Sequence, residues 1–225
     1  MARPSLFYPS PDHRVAIVGP TGCGKSVLFE SIISHYRNVV VIDPKKQFKW
    51  HGHRAHDCRF RRIAPNLRKL QKMLDDPYRI ETGEPIIYRP TMEERVNYET
   101  DEVYYLALAR GNVIVANDEL YLTTSGTNPQ KNRWFSETMV SGRSLKVGAF
   151  HLVQRPAWVP LNAISEADVR VTFFLRKQND RNSMEDVMGS EEEGIPWQTL
   201  RAEPHSFVWA NDMSLSVPTR IALGE

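Results

Sequence analysis

The eight residues GPTGCGKS, Gly19–Ser26, constrain this chain more than any other stretch. They match the spacing G-x-x-x-x-G-K-[ST]. They follow an apolar run, RVAIVG (Arg14–Gly19), and open a run of helical spacing, KSVLFESIISHY (Lys25–Tyr36). A strand, a tight loop and a helix in that order are the context the motif requires. Gly19, Gly22 and Gly24 let the backbone curl with its N–H groups pointing inward. The start of the helix adds partial positive charge. Lys25 is expected to reach the β- and γ-phosphates, and the Ser26 hydroxyl to bind Mg²⁺. Pro20, Thr21 and Cys23 complete the cradle, Cys23 as a small side chain with no chemical role. The expected ligands are ATP and Mg²⁺. A chance glycine-rich turn is the alternative, and the flanking strand and helix argue against it.

The rest of the chain alternates apolar strands with helical stretches, which argues for an α/β fold around a mainly parallel sheet. Strands are expected at NVVVID (Asn38–Asp43), PIIYRP (Pro85–Pro90), NVIVANDELY (Asn112–Tyr121), VGAFHLV (Val147–Val153) and VTFFLRK (Val171–Lys177). Helices are expected at Lys25–Tyr36, with Leu28, Ile32, Ile33 and Tyr36 on the core face, and at Asn66–Asp76, Glu99–Gly111, Pro129–Ser141 and Asn179–Gly189. HSFVWAN (His205–Asn211) and SLSVPTRIAL (Ser214–Leu223) suggest a terminal hairpin. Nothing reads as an interdomain linker. Residues 1–225 are therefore expected to form one ATPase domain, with 1–13 as an extended N-terminal arm and 205–223 as terminal strands.

VIVANDE (Val113–Glu119) is an apolar strand that ends in two acids. Carboxylates at the carboxyl end of a strand in an open α/β sheet sit where ligands bind. Asp118 is expected to hold Mg²⁺, and Glu119 to polarise the attacking water. The second acid separates water-activating ATPases from nucleotide kinases. An ordinary strand-to-loop boundary would carry surface acids too, but the phosphate loop favours the chemical reading.

An ordered set of motifs carries a resemblance. GPTGCGKS, then VVVIDPKKQF (Val39–Phe48), then VIVANDE, then SGRSLKVGAFHLVQRP (Ser141–Pro156) resembles the FtsK/HerA superfamily of P-loop ATPases. The resemblance covers about Arg14 to Lys177 and includes the Asp43-Pro44-Lys45 that ends the second strand. It implies an additional-strand, RecA-like P-loop NTPase fold, a three-layer sandwich with a mainly parallel central sheet. It implies a ring, typically a hexamer, that moves double-stranded DNA. The small size is most like the genome-packaging ATPases of membrane-containing icosahedral viruses, which suggests a place in the host cytoplasm or at the virion's packaging vertex and a capsid or virion membrane protein as partner. The resemblance also implies two roles. Gln154, at the tip of the strand beside the phosphate loop, would be a polar sensor of the γ-phosphate or the lytic water. Arg143 would be an arginine finger reaching a neighbouring subunit's nucleotide, with Arg155 and Arg133 as weaker alternatives.

The net charge of +2 does not by itself predict a polyanion partner, so any such case rests on clustering. From Lys45 to Lys72 there are ten Lys or Arg against one acid, Asp57, a local charge of +9. Lys45, Lys46, Lys49, Arg54, Arg59, Arg61 and Arg62, with Trp50 and Phe60 among them, are the expected DNA contacts, and Arg68, Lys69 and Lys72 extend the cluster. A solvated face or a subunit interface is the bland alternative. The polar loop Tyr121–Arg133 is a second candidate, as a pore lining. HGHRAHDC (His51–Cys58) has no standard zinc spacing, and loop histidines account for it better than a metal site. The two cysteines, Cys23 and Cys58, cannot build a disulfide framework. No apolar run approaches the length of a membrane span.

The function expected is an ATP-hydrolysing DNA translocase that packages a viral genome. A phage assembly or secretion ATPase acting on coat protein is the alternative. A nucleotide or small-molecule kinase and a non-enzymatic nucleotide-binding scaffold follow, and the Asp118–Glu119 pair argues against both.

Overall fold

The computed structural model describes residues 8–48, 62–126, 128–188, 194–211 and 214–220. In chain order the elements are β1 (Arg14–Val18), α1 (Lys25–Ile33), β2 (Val39–Ile42), β3 (Ile63–Ala64), α2 (Leu67–Leu74), α3 (Pro77–Thr82), β4 (Ile86–Tyr88) and α4 (Met92–Val96). There follow α5 (Glu102–Arg110), β5 (Val113–Asn117), α6 (Arg133–Ser141), β6 (Val147–Val153), α7 (Asn162–Ser165) and β7 (Val169–Phe173). The last are α8 (Gln178–Met188), α9 (Trp197–Ala202), β8 (Ser206–Asn211), β9 (Ser214–Leu215) and β10 (Thr219–Arg220).

The strands form one sheet in the order β10-β8-β7-β1-β6-β5-β2-β4-β3, with β9 on β8. From β7 to β3 every pairing is parallel, and β8 runs antiparallel to β7, β9 and β10. The expected terminal hairpin is therefore present and closes one edge of the sheet. β6 lies between β1 and β5, the additional strand that the resemblance implies.

The central strands are apolar on both faces because both faces are covered. Alternation splits them cleanly. Val15, Ile17, Val39 and Val41 face α1, where Phe29, Ile32 and Ile33 are buried. Val18, Val40, Ile42, Val113 and Val115 face the opposite layer, built from α2, α5, α6, α7, α8 and α9. Leu70, Tyr104, Phe135 and Met184 are among its buried anchors.

Three sequence expectations change in detail. The first helix stops at Ile33 rather than Tyr36, and Phe29 instead of Leu28 takes the buried position. Tyr36 still reaches the core from the following turn, meeting Phe150 edge-on at 5.6 Å. The stretch from Glu99 begins as a 3-10 turn, Glu99–Asp101, which frees Asp101 to cap α6. Its carboxylate accepts from the N–H groups of Trp134 and Phe135, both at 2.8 Å.

Register decides what meets at the carboxyl edge. Val18 pairs with Val153, Ile42 with Asn117, and Asn117 with His151. Just beyond the first pair stand Gly19 and Gln154, and just beyond the second Asp43 and Asp118; because Asn117 is level with His151, β6 runs two residues further and sets Gln154 just past Glu119.

Candidate active site

The phosphate loop leaves β1 at Gly19, whose N–H donates to Val153 O at 3.0 Å and ties the loop to β6. A Cβ at Gly19 would stand 2.7 Å from Cys23 Sγ and 2.9 Å from Phe173 Cβ, so no larger residue fits. Gly24 caps α1 with φ 102°, a left-handed conformation that favours glycine. α1 has no side-chain cap, so its first N–H groups are left for an anionic ligand. Lys25 is buried beneath the loop and donates from Nζ to Pro20 O at 2.9 Å. Burial pushes its ammonium down from the ordinary lysine range, which favours a phosphate partner.

β5 delivers the acids. Asp118 is half-buried at the strand end, and its N–H donates to Ile42 O at 3.1 Å. Burial first, then Asp43 and Glu119, push its carboxyl up to about 7, against the pull of Lys45 and Lys25. An acid held among acids in this way would bind a dication readily. Asp43 itself is fully buried, and its carboxylate accepts from Arg89 Nε at 3.0 Å and from the Gln47 N–H at 3.0 Å.

Glu119 is only 3% exposed. Its Oε2 takes an ion pair from Lys45 Nζ and a hydrogen bond from Gln154 Nε2 at 2.6 Å. Its Oε1 is buried with no partner among the described residues. One oxygen is thus clamped and the other carries no partner among the described residues.

The expected site residues therefore converge in part. The Gly19–Ser26 loop, Asp118, Glu119 and Gln154 share the carboxyl edge. Gln154 contacts Glu119, a partner that the expectation of a γ-phosphate sensor did not include. Arg143 does not join its own chain's site. It precedes β6 on the opposite, amino-terminal edge, exposed and ion-paired with Asp168. Arg14 also holds Asp168, at 2.7 Å. Arg155 pairs with Asp180 at 3.3 Å and covers Trp158 at 4.2 Å. Arg133 covers Trp134 at 4.6 Å.

Two of the expected DNA contacts meet acids of their own chain. Lys45 is turned onto Glu119, because β2 and β5 are neighbours and their loops leave the same edge. Arg62 is held between Asp76, at 2.5 Å, and Glu84, at 2.6 Å, so its charge is met within the chain. Lys46, Arg68, Lys69 and Lys72 are exposed. Lys49, Arg54, Arg59 and Arg61 lie outside the described residues, as do Trp50, Phe60 and the His51–Cys58 stretch. The loop after Glu119 is tied down: the Ser125 N–H donates to Asn132 Oδ1 at 2.7 Å.

Sequence reasoning missed three residues. Asn117 accepts from the Glu119 N–H at 3.2 Å and donates from Nδ2 to Thr123 Oγ1 at 2.8 Å and to Tyr104 OH at 3.2 Å, all within the core. A polar amide closing an otherwise apolar strand was its signal. Lys45 is masked in the sequence by the basic cluster around it. Glu30 lies one turn beyond Ser26, on the same helix face. Burial first and Asp118 second push its carboxyl up to about 7.

Among the described residues no group of three or more His, Cys, Asp or Glu is arranged to hold a metal ion. Mg²⁺ does not require one here. Ser26 and Asp118 would supply the protein ligands, with phosphate oxygens and waters supplying the rest. The crowded Asp118 carboxyl fits that use.

No protein-family model matches the chain. Over 99 residues it is 31% identical to the DNA packaging ATPase P9 of Enterobacteria phage PRD1; the match spans 44% of this chain and 41% of that protein. Its fold is similar to that of the genome packaging NTPase B204 from Sulfolobus turreted icosahedral virus 2 in complex with AMPPCP, with a TM-score of 0.70 at 13% identity, covering 94% of this chain and 99% of that one. It is also similar to VirB4 of Thermoanaerobacter pseudethanolicus, with a TM-score of 0.65 at 10% identity, covering 94% and 89% of the two chains. The fold is that of the P-loop NTPases, as the motif order leads one to expect.

Proposed function

We propose that this chain, a relative of the viral genome-packaging P-loop ATPases of FtsK/HerA type, is an ATP-hydrolysing motor that translocates double-stranded DNA into a preformed capsid. The observation that carries this reading is Glu119. It is a buried carboxylate with one clamped oxygen and one unpartnered oxygen, beside a phosphate loop and an acid suited to Mg²⁺. A kinase needs no such base aimed at water. A scaffold needs no base at all.

The loop N–H groups and Lys25 bind the phosphates, and Ser26 and Asp118 would hold the metal. Bound Mg²⁺ supplies charge neutralisation on the phosphates. Glu119 accepts a hydrogen bond, and then a proton, at Oε1 from the attacking water. Gln154 holds the Glu119 carboxylate in place. The chain works as one ATPase domain in a ring, proposed as a hexamer. Arg143 completes the neighbouring subunit's site, which accounts for its place away from its own. Lys46, with Lys49, Arg54, Arg59 and Arg61, supplies the positive charge for the DNA backbone. No described helix is long and apolar enough to cross a membrane. A virion protein at the packaging vertex would recruit the ring.

The test is ATP hydrolysis with and without double-stranded DNA, measured together with oligomer mass. Turnover stimulated by DNA is expected, and Glu119→Gln should bind ATP without hydrolysing it. Stimulation by coat protein with indifference to DNA would move the reading to virion assembly. Full turnover in Glu119→Gln would remove the assigned base.

A further inference from the structure

We propose that Lys45 is an active-site positioning residue: with Gln154 it clamps Oε2 of Glu119 and thereby leaves Oε1 free for the attacking water. The inference rests on the ATPase reading above and deepens it.

Lys45 is not placed as a surface lysine usually is. It follows Asp43 and Pro44, both buried, at the end of β2. Asp43 is anchored three ways: its N–H donates to Tyr88 O at 2.8 Å, and its carboxylate is held by Arg89 and by the Gln47 N–H. The Lys46 N–H closes the turn on Asp43 O at 3.3 Å. Three residues beyond Lys45, Phe48 is 5% exposed and packs edge-on against Phe29 of α1 at 6.4 Å. The backbone that carries Lys45 is therefore pinned on both sides, and the side chain reaches inward to a carboxylate that water scarcely touches. The Lys45 side chain is 36% exposed and the Glu119 side chain 4%.

The clamp has a chemical consequence. A buried carboxylate needs donors and a compensating charge. Gln154 gives a donor without a charge, and Lys45 gives both. Because both fall on Oε2, the carboxylate cannot rotate without breaking two contacts, and the two oxygens become inequivalent. The Asn117 contact to the Glu119 N–H holds the backbone end of the same residue. A base that must present one lone pair to a water gains most from such orientation, and misplacing it by about 1 Å can cost a hundredfold.

The experiment compares Lys45→Met and Lys45→Arg with the unsubstituted chain. It measures kcat and KM for ATP, the affinity for a non-hydrolysable ATP analogue, and the affinity for double-stranded DNA. Lys45→Met is expected to lower kcat by about ten- to a hundredfold, with analogue affinity within about twofold of the starting value. Lys45→Arg should recover much of kcat, because a second cation can meet the same oxygen. Retained analogue binding shows that the variant is folded. Unchanged kcat in Lys45→Met overturns the inference, and so does a raised kcat, which would make the lysine a restraint on the base. A loss that vanishes at saturating DNA overturns it as well, in favour of a DNA contact. Absence of turnover in the unsubstituted chain would overturn both the ATPase reading and this inference. Turnover that is abolished by Glu119→Gln but untouched by Lys45→Met overturns this inference alone.

Discussion

Acid should weaken this fold through one histidine. His151 lies on β6, completely buried, three residues before Gln154. Its Nε2 meets Ala163 O at 2.6 Å, which places the proton of the neutral ring on Nε2. Its Nδ1 has no partner among the described residues, and the ring stands edge-on to Phe135 at 5.8 Å. Protonation would create a charged, unpaired N–H in the core. Burial accordingly pushes the imidazole down to about 4 from an ordinary 6.5. Between those two values the unfolded chain binds more protons than the folded one, so stability falls as pH falls. The stabilisation is fully present above pH 6.5. About 2 kcal/mol of it is lost by pH 5, and about 3 kcal/mol at pH 4 and below. Urea unfolding at several pH values between 7.5 and 5, run in parallel on the unsubstituted chain and on His151→Leu, isolates the effect. The substitution has its own cost, since Ala163 O loses its partner. That cost is constant with pH, whereas the difference between the two curves is not. The unsubstituted chain should lose about 2 kcal/mol more than His151→Leu over this range. Parallel curves would refute the neutral, partnerless ring and the burial on which the figure depends.

Two further outcomes are expected. Asn117→Leu removes the acceptor of the Glu119 N–H and the donor to Thr123 and Tyr104; it should cost about 1–3 kcal/mol in urea unfolding and reduce ATP turnover, and wild-type turnover would show that Glu119 needs no support from below. Arg143→Ala leaves Asp168 paired with Arg14, so stability should change by less than about 1 kcal/mol while turnover of the assembled ring falls steeply. Mixing Arg143→Ala with Glu119→Gln should restore part of that turnover, because some interfaces then combine an intact base with an intact arginine; no recovery would sink the trans role.

Much of the site was legible because its signals are local. The glycines, Lys25 and Ser26 act through spacing along a few residues, and the acids of VIVANDE mark the end of an apolar strand. The alternation of buried strands and helices likewise sufficed for a parallel α/β sheet with a terminal hairpin. Less legible was the partnership of charges. Lys45 and Arg62 read as members of one basic cluster, yet each meets an acid of the fold. In Arg62 that acid is as near in sequence as Asp76, but nothing in the spacing distinguishes a paired arginine from a solvated one. The end of the first helix is equally illegible. Its apolar residues continue to Tyr36, but the helical turns end at Ile33 and Tyr36 packs from a turn.

By itself, then, the sequence determined where the phosphate-loop motif lies, which strands are buried, and which two acids stand at a strand end, since those properties follow from backbone geometry and local periodicity. Only the tertiary structure decided what Glu119 touches. Its partners Lys45 and Gln154 lie 74 and 35 residues away. They arrive together because parallel pairing sets β2, β5 and β6 in a row, and β6 runs two residues past β5, which brings Gln154 just beyond Glu119. Strand order and register are long-range choices, made by the burial of both sheet faces, and no short stretch of the chain encodes them.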